Sequence, residues 1–258
     1  IKSPQINKSS FLYGTIHMVK KEDFKLKEKV KRSFNSCTKL ALEVDLNMSL
    51  KTKMDVAMST LLPNNKSIDE FMTKDEFMKL KAYAVDSIGI SEKKFNKYKR
   101  LKPFYLSSIL IKESLGKIKS YDEEFHKMSS KNNMSEIGLE SIKSQLKIID
   151  QTSIQDQVKM LLEGIENQEA SSFDQMVKAY NEEDIKTLYN IIKSESTDIE
   201  GFQYNFIEKR NQNWISVIEK TINTEPTFIA VGAGHLYGEK GVINLLKKQG
   251  YDVNPVFK

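Results

Sequence analysis

The chain has three histidines, and two of them stand three positions after a glycine: Gly14-Thr15-Ile16-His17 and Gly232-Ala233-Gly234-His235. Each motif closes an apolar run, FLYG in the first case and TFIAVG in the second, so each imidazole is expected just beyond the end of a strand. In an open α/β sheet, ligands bind outside the carboxyl ends of the strands. A glycine in such a turn lets the backbone adopt positive φ or approach a ligand closely. Imidazole near neutral pH either ligates a divalent cation or moves a proton. Two turns from opposite ends of one chain can thus deliver two ring nitrogens to one point. The third histidine, His126, sits among charged residues in SYDEEFHKM and is expected to be exposed.

Acidic partners are available. The segment KLALEVDL carries Glu43 and Asp45, whose spacing of two places them on one strand face. A carboxylate inside an apolar strand is costly unless paired, so Glu43 belongs either to a site or to a salt bridge. Glu140, in IGLESIKSQL with Gln145 five positions on, reads as a strand-to-helix junction, where the helix dipole favours an acid. Near the C-terminus, Phe202, Phe206, Ile207, Trp214, Ile218 and Ile222 form an apolar stripe on which Arg210 also falls. A guanidinium drawn onto such a stripe must find a carboxylate or a ligand. Either it locks Glu43, Asp45 or Glu140, or it binds a substrate carboxylate.

The chemistry that this set suggests is divalent-metal hydrolysis, with manganese, cobalt or zinc held by His17, Glu43 and His235. Such an ion lowers the pKa of water and polarises a carbonyl. The absence of an HExxH helix keeps a second reading open, a non-catalytic protein that captures peptides or a small ligand in the same pocket.

The elements that must place these residues follow from periodicity. Strands are expected over Ser10–Val19, Lys39–Leu46, Ser135–Glu140 and TFIAVGAG. A helix from about Glu239 to Gln249, capped by Gly250, leads to a further strand in YDVNPVF. Helical pattern also covers Ile142–Ile165, Ser171–Tyr180, Glu182–Lys193 and Ile199–Ile222. Residues 49–134 are helical in period and rich in methionine, with a cap expected at Ser67 and Glu70; these methionines are expected to fill irregular core gaps, or else to line a lid or groove. The resulting fold class is α/β. A central sheet of mixed, mainly parallel strands is built from both chain ends, in a single domain over 1–258 with a helical insertion at about 49–134.

Composition narrows the partners. No apolar run approaches the ~18 residues of a membrane helix. The net charge of +5 arises from 40 basic residues interleaved with 35 acidic ones, a solvated surface and not a nucleic-acid stripe. The densest basic stretch, Lys93–Lys102, reads as an exposed helix end. Cys37 is the one cysteine, which excludes an intrachain disulfide. Numbering starts at Ile1, so any export signal or lipid-attachment cysteine would lie upstream of it.

Taken in order, Gly14 to His17, Glu43 in ALEVD, GLES with Gln145, the KRN of Lys209–Asn211 and GAGHLYG resemble the TraB/GumN family, which includes the Tiki proteases. The resemblance covers nearly the whole chain. The family's Gly-x-Asp segment is met here by Ser120-Tyr121-Asp122, without its glycine. It implies a fold similar to the erythromycin esterase and ChaN-type α/β proteins. For Tiki-like members it also implies a metal-dependent peptidase needing both histidines and the glutamate, in which Glu140 or Asp45 would serve as general base and Arg210 with Asn211 would orient the substrate or the carboxylates. Because bacterial members are often exported or lipid-anchored, it further implies an exported protein, periplasmic, cell-surface or lipid-anchored, with its signal upstream.

Overall fold

The computed structural model describes residues 1–3, 5–166, 169–195, 201 and 203–257. The chain forms two compact units, one of Ile1–Asn47, Lys119–Ile142 and Met176–Lys258, the other of Met48–Ile118 and Lys143–Gln175.

The first unit is built on a four-stranded sheet of β1 (Phe11–Thr15), β2 (Lys39–Val44), β3 (Ser135–Glu140) and β4 (Thr227–Gly232). Their spatial order is β1-β4-β2-β3, with every neighbouring pair parallel. The last strand therefore enters the middle of the sheet, and all six of its residues are buried, as an apolar run between two covered faces requires. Alternation along β4 divides the core. Phe228 turns to an aromatic cluster, with ring centroids 5.2 Å from Phe34 and 4.9 Å from Phe125. Ile229 and Val231 turn the other way, onto Trp214, Ile218 and Ile222 of the helix Lys209–Ile222. Phe34 comes from the helix Glu28–Asn35 and Phe125 from the helix Tyr121–Lys131, whose N-cap is Ser120.

The second unit is helical. Its core gathers Leu62, Ile68, Leu80, Phe95, Leu106 and Leu161. Ser67 and Glu70 form a capping box over the short turn Ile68–Phe71, and Thr73 with Glu76 forms another at the start of the helix Lys74–Ala82. Among the described residues, no helix is long and apolar enough to cross a membrane.

Three expectations are corrected. Tyr251–Phe257 is not a strand; only an isolated antiparallel bridge links Asp252 to Lys2. Pro255 cannot donate to a ladder, and the Asn254 side chain bonds Asp252, so the segment makes turn-like contacts in place of strand pairing. Not all the methionines fill core: Met54 and Met58 are each more than half exposed, because the helix Leu50–Ser59 buries no residue at all, and Met78 is as exposed on the helix Lys74–Ala82, which buries Leu80. His126, expected to be exposed, is half-buried, its Nδ1 2.8 Å from Glu136, a carboxylate ten positions on that no local pattern links to it. Phe202 and the Ile199 start of the last long helix lie outside the described residues.

Candidate functional site

Parallel pairing of β1 with β4, in register from Phe11↔Phe228 to Thr15↔Gly232, ends both strands at the same level. The two glycine-histidine turns leave the sheet side by side. Gly232 is the floor between them: a Cβ there would lie 3.2 Å from Glu43 Oε1, 3.4 Å from His17 Nε2 and 3.5 Å from the His235 ring. No side chain but glycine's leaves this space free. Glu43 lies on the face of β2 that carries Ala41, the face covered by the helix Lys209–Ile222.

His17 Nε2 and His235 Nε2 each stand 3.8 Å from the same oxygen, Glu43 Oε1. That oxygen also accepts the Gly232 N–H at 2.8 Å. Both rings are oriented from behind. His235 Nδ1 lies 2.6 Å from Asn211 Oδ1, and Asn211 is itself fixed because its amide nitrogen donates to the carbonyls of His235 and Lys240. The amide thus presents an acceptor, His235 donates from Nδ1, and its Nε2 carries the lone pair. His17 Nδ1 lies 3.0 Å from Asp122 Oδ2, while Asp122 Oδ1 accepts from Thr15.

Arg210 ties the carboxylates together. Its Nη2 is 2.5 Å from Glu43 Oε2 and 2.6 Å from Glu140 Oε1, its Nε is 2.7 Å from Glu140 Oε1, and its Nη1 donates to the Phe206 carbonyl at 3.1 Å. That carbonyl belongs to a wide π-type turn, Tyr204–Glu208, leading into the helix. The remaining direction of Nη1 faces His235 Nε2 at 3.2 Å. Trp214, the chain's one tryptophan, packs under both groups, 4.8 Å from the guanidinium and 4.5 Å from the His235 ring.

The electrostatics follow. Burial pushes His235 down to about 3, against the opposing pull of Glu43, so it is neutral at pH 7. Burial in the cleft also opposes a charge on His17, but the Asp122 hydrogen bond and the Glu43 and Asp122 charges outweigh it and push His17 up to about 9. Its side chain is 63% exposed, and water reaching it weakens these attractions without reversing them. Burial alone would raise Glu43; the charges of its histidine neighbours and Arg210, with the Gly232 N–H, hold it down at about 2. Since His235 is neutral near pH 7, His17 and Arg210 are the operative charges there. Glu140 is raised by burial, with Arg210 opposing.

The donor set suits a divalent cation. Two imidazole Nε2 atoms, each backed by a hydrogen bond at Nδ1, and one carboxylate oxygen are the usual kind of ligand with the usual kind of support. Ligands ~2.1 Å from one ion stand about 3.4 Å apart at a tetrahedral angle and no more than about 4.2 Å apart. The 3.8 Å separations lie between these limits. Among the described residues no three His, Cys, Asp or Glu side chains form a group arranged to hold a metal ion, so the fit lies in the kinds of donor and in these two separations.

The six residues singled out from the sequence, His17, Glu43, Glu140, Arg210, Asn211 and His235, are joined through these contacts. Asp45 is exposed and accepts the Asn47 N–H, a turn contact beyond the strand end at Val44. Asp122, which the sequence marks only through the family's Gly-x-Asp segment, joins this set: its place in the first turn after Ser120 brings it to His17.

The chain matches the TraB/PrgY/gumN family over residues 3–255. It is similar to a metalloprotease TIKI homolog from Amphimedon queenslandica, 29% identical over 115 residues. That match takes in 36% of this chain and 22% of the relative's length. No solved structure matches the chain.

Proposed function

We propose, from the premise that this chain belongs to the TraB/PrgY/gumN family, that it is a divalent-metal-dependent hydrolase acting on peptide bonds. The single observation that carries this is the pair of backed imidazoles converging on Glu43 Oε1 at 3.8 Å. His17, His235 and Glu43 would hold the ion, which supplies a water of lowered pKa and a polarised carbonyl. Asn211 fixes the tautomer of His235, and Asp122 orients His17 by accepting the hydrogen bond of its Nδ1–H. Arg210 neutralises Glu43 and Glu140 so that both stay ionised in a cleft that would otherwise protonate one of them. Glu140, with its raised pKa, is the better placed general base of the two acids suggested by sequence, because Asp45 is occupied at the surface.

Calorimetric titration of the metal-free protein with manganese, cobalt and zinc tests the site. His17→Ala and His235→Ala should each abolish binding of whichever ion is taken, and unchanged binding defeats the reading. Peptide-library cleavage read by mass spectrometry, with and without that ion, tests turnover.

A second reading rests on Arg210 Nη1, which already occupies the His235 lone pair at 3.2 Å. If that contact persists, the pocket binds a ligand without an ion. Peptides would then be retained without cleavage.

A further inference from the structure

β1 is an edge strand, paired with β4 on one side only. On its other side lies a cavity of about 440 Å3. This explains why Phe11 to Gly14 are only half-buried although they belong to the central sheet. One wall is Leu12, Ile185, Leu236 and Ile243; on the opposite side of the strand are Val30 and Phe228.

The strand's outward backbone groups are partly taken. The Ser10 N–H donates to the Ile1 carbonyl, and the Gly14 carbonyl accepts from the Tyr180 hydroxyl at 3.0 Å. Ser10 and Gly14 therefore face outward, and by strand alternation so does Leu12 between them. The N–H and C=O of Leu12 and the N–H of Gly14 are thereby turned to the outer side of the strand, away from β4. Open strand groups beside an apolar slot suit a main chain, whose amides pair with the edge while its side chains enter both walls. The cavity's edge is basic. Lys25, Lys27, Lys29 and Lys247 outnumber Glu183 and Asp184, and Glu183 is already shared by Lys27 and Lys29 at 2.8 and 2.7 Å.

We propose that the outer edge of β1 is a strand-addition site for an extended peptide, apolar at its centre and acidic at its ends. β1 runs directly into the turn that carries His17, so a peptide laid along it points at the histidine site. Delivery to that site rests on the hydrolase reading; docking itself does not.

Fluorescence polarisation with a fluorescein-labelled pentapeptide, EVLVE, on the full chain tests it. Binding should weaken with salt. Replacing Lys25 and Lys247 together by Glu should cost about tenfold at low salt. The decisive comparison lies in the peptide. N-methylation at one parity of its amides should weaken binding about five- to tenfold, and at the other parity less than about twofold, because only alternate amides face the edge. Binding should be the same with the divalent ion present and with it removed by a chelator, which separates docking from failure of the metal site. Equal effects of both parities overturn the proposal. So does absence of binding up to ~1 mM, and so does displacement of the bound peptide by decanoate at concentrations where unlabelled EVLVE has no effect, which would mark a lipid-like carboxylate as the occupant.

Discussion

Replacing Arg210 by Met removes a charge while keeping an unbranched stem of similar length. The packing loss of such a swap is below about 1.5 kcal/mol. The cation–π contact with Trp214 at 4.8 Å adds about 0.5 to 1 kcal/mol. The dominant cost is electrostatic. Glu43 and Glu140, with side chains 6% and 9% exposed, lose the guanidinium that now lies 2.5 and 2.6 Å from them. Stranding buried charge in this way costs about 3 to 5 kcal/mol. For a chain of this size that corresponds to a melting temperature lower by roughly 6 to 20 °C. The sign with pH follows from linkage. Without Arg210 the Glu140 carboxyl, already raised by burial, rises further, and Glu43 loses part of what holds it down, so the folded variant takes up protons at higher pH than the folded parent does. Its deficit against the parent is full at pH 7 and shrinks as the pH falls toward 4.5. Urea unfolding followed by far-ultraviolet circular dichroism at both pH values reads this, and it avoids the fluorescence of Trp214, which the substitution itself perturbs. A triple variant that also carries Glu43→Gln and Glu140→Gln should recover most of the loss. A deficit under about 1 kcal/mol, or one equal at the two pH values, refutes the buried-charge account.

Asn211→Ala leaves His235 without its Nδ1–H acceptor, and metal affinity should fall 10- to 100-fold in calorimetry, with His17 unaffected. Because His17 is raised to about 9, an ion must displace its proton; affinity should climb about tenfold per pH unit between pH 7 and 9, and Asp122→Asn should move the plateau to lower pH. Gly232→Ala inserts a methyl 3.2 Å from Glu43 Oε1 and 3.4 Å from His17 Nε2; metal binding should be lost while circular dichroism stays native, and unchanged affinity would show that the three groups do not share one point.

Much of the site was legible because chemistry and periodicity agree there. Glycine before histidine at a strand end, an acid inside an apolar strand and an arginine on an apolar stripe each break a local rule, and such breaks mark positions held by tertiary partners. Arg210 was left with several possible carboxylates; the fold selects Glu43 and Glu140 together. Asp122 is marked only by the family resemblance, and its partner His17 is not legible, because an acid in a first helical turn is ordinary by itself. The exposed Met54 and Met58 escaped for a related reason: apolar residues spaced by four predict a covered face, and the sequence does not say that the helix Leu50–Ser59 lacks a cover. YDVNPVF alternates like a strand, yet no sheet edge receives it.

The placement of β4 between β1 and β2 has a consequence for synthesis. At ~5 to 20 residues per second, on the order of ten to forty seconds separate the emergence of Phe11 from that of Phe228, its partner. Throughout that interval the nascent polypeptide holds two strands whose shared neighbour does not yet exist, each with an unfilled hydrogen-bonding edge. Cellular holdase factors are therefore needed most before the final strand leaves the ribosome, and a message truncated ahead of it yields an aggregation-prone product.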